Sequence, residues 1–255
     1  MKQALVCVSF GTTVANGRKD LLAVEQALRA AAPERQFVCA WTSRIIRKRK
    51  AAQGELVNSL PEALEQLARD GYTDVVVQPT HLLYGYEYDK MKTEIAPYTD
   101  CFARFSLGKP LLADTVDLQC VTRILGTVYP SNPQEALLFM GHGTEHFAGV
   151  VYPALQSTFA LQNRLDAFVA TVEGWPGLKE ILPQMQAAGY TKVHLVPLLL
   201  VAGDHACKDM AGPAPESWKS QLEAAGFTVR CTLEGLGRLP EIQQVYCDKL
   251  QELLE

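Results

Sequence analysis

Short apolar runs alternate with stretches of helical period along most of the chain. Residues 3–10 form a first apolar run and predict a strand. Residues 16–32 carry Leu21, Leu22, Val24 and Leu28 on one side, which predicts a helix stopped by Pro33. A second strand is expected over 37–41 and a basic helix over 43–53. Ser59-Leu-Pro-Glu62 has the form of a helix start, with Ser59 as cap and an acid in the first turn; that helix is expected to run to Asp70. A strand over 74–79, a helix over 87–96 and a strand over 101–107 follow. The same alternation then resumes. Strands are expected over 136–140, 167–172, 191–200 and 228–232, and helices over 150–161, 178–188, 218–225 and 242–254. Runs such as Val193–Val201 are apolar without alternation, as in strands buried on both faces of a parallel sheet. The order predicts an α/β protein with parallel sheets and helices on both faces.

The repetition is visible in the residues. Gly71-Tyr-Thr, Pro79 and Gly85 recur as Gly189-Tyr-Thr, Pro197 and Gly203; positions 71 and 189, 79 and 197, and 85 and 203 are each 118 apart. Phe10-Gly-Thr likewise echoes His142-Gly-Thr. Duplication predicts two similar lobes with a cleft between them, and such clefts are common ligand sites. Gly126, Pro130 and Pro133 interrupt the pattern, which sets the lobes at 1–128 and 129–255. The closing helix could pack back on the first lobe.

Composition narrows the class. With 255 residues, 48% hydrophobic and 20% charged, the chain can bury a sizeable core. A net charge of −4 gives no electrostatic reason to expect nucleic acid. The seven cysteines are odd in number and contain no Cys-x-x-Cys, which argues for a reducing compartment and against a disulfide framework. The N-terminal apolar run is short for a signal peptide, and no stretch approaches the roughly 20 apolar residues that span a bilayer. A cytoplasmic protein with no membrane partner is expected.

Candidate chemistry gathers at the strand ends of the second lobe. His142 lies between two glycines after one strand, Glu173 follows the next, and His205 follows a third. In open α/β sheets ligands bind beyond the carboxyl ends of the strands. Two imidazoles and a carboxylate suit Co²⁺, Ni²⁺, Fe²⁺ or Zn²⁺, and three ligands leave a coordination position open. Each residue has a plainer reading: a lone His satisfied by hydrogen bonds, a strand-end Glu capping a helix. His194, inside a strand, reads as structural, and His146 as lining a loop. Cys207 is a possible fourth ligand, but a small buried apolar residue is the better reading. The first lobe does not repeat the set. Phe10 stands in the place of His142 and Glu87 in that of His205, with His81, Tyr84, Tyr86, Tyr88 and Met91 nearby. That suits the lining of a flat pocket. The basic run 44–50 reads as a solvated face, or as an attractant for a ligand bearing many carboxylates.

Ser9-Phe-Gly-Thr12, Gln78-Pro-Thr-His81, Gly85-Tyr-Glu-Tyr88, Phe139-Met-Gly-His-Gly143, Val172-Glu173 and Leu198–Ala206 together resemble the anaerobic-type sirohydrochlorin cobaltochelatases of cobalamin biosynthesis, within the class II chelatases. The resemblance runs from Leu5 to about Gly237, with Trp175 and the loop after His142 as departures. It implies two Rossmann-like lobes around a tetrapyrrole cleft. It implies a metal site of His142, Glu173 and His205, with His142, Glu87 and His205 catalytic. Phe10, Gly11, Thr12, His81, Tyr86 and Tyr88 would contact the substrate. The implied reaction inserts Co²⁺ into sirohydrochlorin, with no cofactor beyond that ion and no phosphate-binding Gly-x-Gly-x-x-Gly. Insertion of Fe²⁺ or Ni²⁺, or a tetrapyrrole or metal carrier without turnover, are the alternatives. A homo-oligomer would be unsurprising.

Overall fold

The computed structural model describes residues 2–255. The chain forms two compact units. One runs through Ala113 and resumes over Gly237–Glu255; the other is Asp114–Leu236. The first contains β1 (Gln3–Ser9), α1 (Ala15–Ala31), β2 (Gln36–Trp41), α2 (Arg44–Ala51), α3 (Leu60–Arg69), β3 (Asp74–Pro79), α4 (Tyr86–Ile95) and β4 (Arg104–Leu107). The second contains α5 (Thr115–Val128), β5 (Glu135–Gly141), α6 (Val151–Leu161), β6 (Ala167–Thr171), α7 (Leu178–Ala187), β7 (Lys192–Leu198), α8 (Trp218–Ala224) and β8 (Thr228–Cys231). The closing helix α9 (Pro240–Leu254) belongs to the first unit.

Each unit holds a four-stranded parallel sheet, in the orders β2-β1-β3-β4 and β6-β5-β7-β8. The two orders are the same when each unit is counted from its own first strand. Both halves therefore have the same strand order as well as matching landmarks. The first strand of each unit is central, and the connection reverses direction across it, which makes the gap between first and third strands a topological switch point.

Burial explains the apolar runs. Ala4 to Val8 in β1 and Val193 to Leu198 in β7 are covered on both faces. Leu21, Val24 and Leu28 bury one stripe of α1, each contributing roughly 1.5–3 kcal/mol. The Ser59 start forms as read: its side chain accepts from the Glu62 N–H, and the Glu62 carboxylate accepts from the Ser59 N–H at 2.6 Å. Helix α9 is tied to its unit by the Tyr246 hydroxyl, which donates to the Thr80 carbonyl at 2.8 Å, and by Gln251 Nε2, which donates to the Ala31 carbonyl at 2.9 Å.

The structure differs from the pattern reading in three places. Helix α5 was not expected, and it joins the second unit, so the observed division falls at 113/114 where the pattern set 128/129. Its start is a polar box: the Asp114 side chain accepts from Val116 and Asp117 N–H groups while Asp117 accepts from the Asp114 N–H. The strand expected from Cys101 begins at Arg104, because a 3₁₀ turn over Ala96–Cys101, with Pro97 near its start, prolongs α4. After β7 the chain winds into a π-helical turn, His205–Met210.

Candidate metal centre

The C-terminal ends of β5, β6 and β7 carry the three residues singled out above. His142 directly follows β5, Glu173 lies two residues beyond β6, and His205 opens the π turn. One ligand atom from each lies within 4.8 Å of the others. The two imidazoles stand edge to face, with ring centroids 4.6 Å apart and planes at 86°. Glu173 Oε2 is 3.9 Å from His142 Nδ1. The side chains remain partly exposed, at 46% for His142, 65% for Glu173 and 34% for His205. Three convergent donors of mixed nitrogen and oxygen character, open to solvent on one side, can hold a borderline divalent ion and leave it positions for other ligands.

The loops behind the donors are fixed by backbone. The Glu173 N–H donates to the His142 carbonyl at 2.7 Å, and the Gly143 N–H donates to the Tyr152 hydroxyl at 3.1 Å. Gly143 has φ of +87°, and a Cβ there would lie 1.5 Å from the Glu173 carbonyl oxygen. Only glycine permits that approach. His142 Nδ1 is 3.0 Å from the Gly143 carbonyl, and His205 Nδ1 is 2.6 Å from Asp209 Oδ2. The π turn is anchored by Ala206 and Met210, both buried.

The remaining histidines separate as follows. His194 is buried, bonded through Nε2 to Thr232 Oγ1 at 2.8 Å, and burial lowers its pKa to about 4. His146 accepts from the Ala148 N–H and caps the 3₁₀ turn Phe147–Val150. Cys207, expected to be buried, is exposed; the π turn points Ala206 and Met210 inward and leaves Cys207 on the solvent side.

In the first unit, both ring nitrogens of His81 are buried without a hydrogen-bond partner, as is Glu87 Oε2. Burial pushes the His81 pKa down to about 4, against the pull of Glu87 and with the help of Lys90. Glu87 lies in the first turn of α4, with Oε2 3.8 Å from Lys90 Nζ. Phe10 and Tyr86 are exposed. Gly11, at φ of +91°, packs against the Trp41 ring, and Thr12 Oγ1 accepts from the Val14 N–H. Tyr88 turns into the core, its hydroxyl donating to the Gly108 carbonyl at 2.9 Å, and Met91 is core as well.

Sequence reasoning missed Tyr152, which holds the Gly143 N–H, and Asp209, which meets His205. The i, i+4 spacing of His205 and Asp209 was the one signal for the second; nothing local marks the first. Exposed Phe147 and Trp175 stand on the loops after β5 and β6 and offer apolar surface there.

A family model described as cobalt chelatase (CbiK) matches residues 3–255. A sirohydrochlorin cobaltochelatase of Salmonella typhimurium is 38% identical, covering 100% of this chain and 97% of that protein. The sirohydrochlorin cobaltochelatase CbiKC of Nitratidesulfovibrio vulgaris is 36% identical, over 98% of this chain and 89% of that protein. Among solved structures, SirB from Bacillus subtilis with Fe³⁺ superposes with a TM-score of 0.68 at 17% identity, covering 99% of this chain and 96% of that one. The Bacillus subtilis sirohydrochlorin chelatase SirB in complex with cobalt gives 0.64 at 15% identity, with 99% and 95% covered. At such identity these structures speak for the fold alone, which is that of the class II chelatases. With the family model spanning nearly every residue and relatives matched end to end, the chain belongs to the cobalt chelatase (CbiK) family.

Proposed function

We propose that this protein inserts Co²⁺ into sirohydrochlorin, the step that yields cobalt-sirohydrochlorin on the anaerobic route to cobalamin. The observation that carries the reading is the convergence of His142, Glu173 and His205, with donor atoms within 4.8 Å of one another. Family membership supplies the tetrapyrrole. The ion is a substrate, and the reading includes no resident cofactor.

The chemistry asks two things of the protein. The ion must shed water, and the ring must shed its inner N–H protons. Two neutral imidazoles and a carboxylate replace part of the hydration shell while leaving positions open for ring nitrogens. As those nitrogens take over the ion, an imidazole released from it is a base within reach of the ring. Phe147 and Trp175 offer apolar surface beside the donors for the face of a flat macrocycle. In the first unit we assign Glu87 a catalytic role, and Phe10, Gly11, Thr12, His81 and Tyr86 roles in substrate binding; Tyr88, expected beside them, is turned into the core and is left out. The ring nitrogens of His81, buried without a hydrogen-bond partner, support that assignment, because such groups normally find one. The basic residues of α2 suit a ring edged with carboxylates. We place the reaction in the cytoplasm; among the described residues no helix is long and apolar enough to cross a membrane. A homo-oligomer fits the reading equally well.

The test is initial-rate cobalt insertion, followed by tetrapyrrole absorbance with catalytic amounts of protein. The wild type should turn over many times, and His142→Ala, Glu173→Ala and His205→Ala should each lose most of the rate while keeping the wild-type circular dichroism. Near-wild-type rates in folded His205→Ala would refute the site. Stoichiometric uptake without turnover would instead indicate a carrier. Parallel assays with Fe²⁺ and Ni²⁺ decide the ion, since a His₂Glu set follows the general affinity order.

A further inference from the structure

His205 does not face the ion site alone. Its Nδ1 lies 2.6 Å from Asp209 Oδ2, one turn further along the π-helical segment. Lys208, beside Asp209 in sequence, pairs with Asp204 at 3.3 Å. The turn that carries both partners is held from below by buried Ala206 and Met210. It is closed by the Ala211 N–H, which donates to the Ala206 carbonyl at 3.3 Å. Behind it, a Cβ on Gly212 would fall 2.3 Å from the Lys208 carbonyl oxygen, so the backbone is packed tightly there. The relation between His205 and Asp209 is thus set by an anchored stretch of backbone.

We propose that Asp209 is a positioning residue, fixing the tautomer and ring rotation of His205 so that its Nε2 is the atom offered to the ion. A carboxylate accepts and cannot donate, so the neutral imidazole facing it carries its hydrogen on Nδ1 and its lone pair on Nε2. The same logic applies to His142, whose Nδ1 faces the Gly143 carbonyl at 3.0 Å. Both imidazoles then present Nε2, one steered by a carbonyl and the other by a carboxylate. A negative partner on the far nitrogen also makes the imidazole a stronger donor to the ion. The alternative is a plain ion pair on a half-exposed turn, with no bearing on the ligand atom. The proposal rests on the reading of His142, Glu173 and His205 as the ion site.

The experiment is a Co²⁺ titration of the whole protein without tetrapyrrole, read from the visible absorption of the bound ion. The proteins are wild type, Asp209→Ala, Asp209→Asn, Asp209→Glu and His205→Ala. Asp209→Ala should bind Co²⁺ about 10–100-fold more weakly. Its Co²⁺ spectrum should be altered, and its circular dichroism and thermal midpoint should match the wild type. Asp209→Glu should recover part of the affinity. Wild-type affinity and spectrum in folded Asp209→Ala would overturn the proposal while leaving the ion site intact. Equal Co²⁺ binding by wild type and His205→Ala would overturn the ion site, and this proposal with it. A second measurement does not depend on any variant folding. Nitrogen-15 NMR of the metal-free wild type at alkaline pH should show His205 protonated on Nδ1, and the Nε2–H tautomer there would overturn the proposal.

Discussion

The Glu173 N–H donates to the His142 carbonyl at 2.7 Å, so two of the three residues proposed to hold the ion are joined through their own backbone. The bond ties the loop after β5 to the loop after β6, and Gly143 lets them meet. Gly143→Ala would drive a methyl group into the Glu173 carbonyl and strain a backbone at φ of +87°. The expected result is a loss of roughly 1–3 kcal/mol in denaturant unfolding, together with strongly weakened Co²⁺ binding. A substitution that lowered stability and left Co²⁺ affinity unchanged would show that the two loops do not set the donor geometry.

Glu87→Ala should separate insertion from ion binding. Glu87 is not among the three convergent donors, and it sits in the first turn of α4 with one oxygen buried. The variant should insert cobalt slowly and bind Co²⁺ nearly as the wild type does. Loss of Co²⁺ affinity with normal tetrapyrrole binding would assign Glu87 to the ion instead.

The Arg35–Asp74 pair is the costly electrostatic element of the first unit. Both side chains are buried, at 3% and 1% exposure, and the guanidinium meets the carboxylate through two bonds of 2.8 and 2.9 Å. The Arg35 hydrogen bond holds the Asp74 carboxyl below its usual range. Asp74→Asn would leave a buried cation without its counter-charge, at about 3–5 kcal/mol. Urea unfolding of the variant measures this directly. A change under about 1 kcal/mol would mean that water reaches Arg35.

His194 and His81 give stability a pH dependence near neutrality. Burial lowers each pKa from 6.5 to about 4, so between those values the unfolded chain binds protons that the folded chain refuses. Stability therefore falls as pH drops from about 6.5 to about 4 and levels off below that with respect to these groups. Replacing His194 by Gln should flatten part of the slope, because the Gln side chain does not titrate. Denaturant midpoints at several pH values, for wild type and variant, are the check. An unchanged slope would show that His194 is reached by solvent.

Much of the fold was legible because it depends on local pattern. The runs at Ala4–Val8 and, His194 apart, Val193–Leu198 are apolar without alternation because both faces of these strands are buried. The Ser59–Glu62 box is a matter of four residues, and it forms as written. Placing His142, Glu173 and His205 at strand ends needed only the strand boundaries and the direction of a parallel sheet. Helix α5 was not expected, although Leu118, Val121 and Leu125 stand at helical spacing behind the Asp114–Asp117 box.

What the tertiary structure decided is distance and side-chain direction. That three donors from residues 142, 173 and 205 come within 4.8 Å follows from the order β6-β5-β7, which sets their strands side by side. The wrong sign for Cys207 has the same origin. An unforeseen π turn rotates successive side chains by a smaller angle than an α-helix would, and burial goes to Ala206 and Met210. Tyr88 took a core position because its hydroxyl found the Gly108 carbonyl twenty residues away. Sequence by itself indicates which groups can bind and where most strands and helices lie, since both depend largely on neighbours in the chain. Which groups meet is settled by strand order and loop packing, since those bring together residues that are distant in the chain.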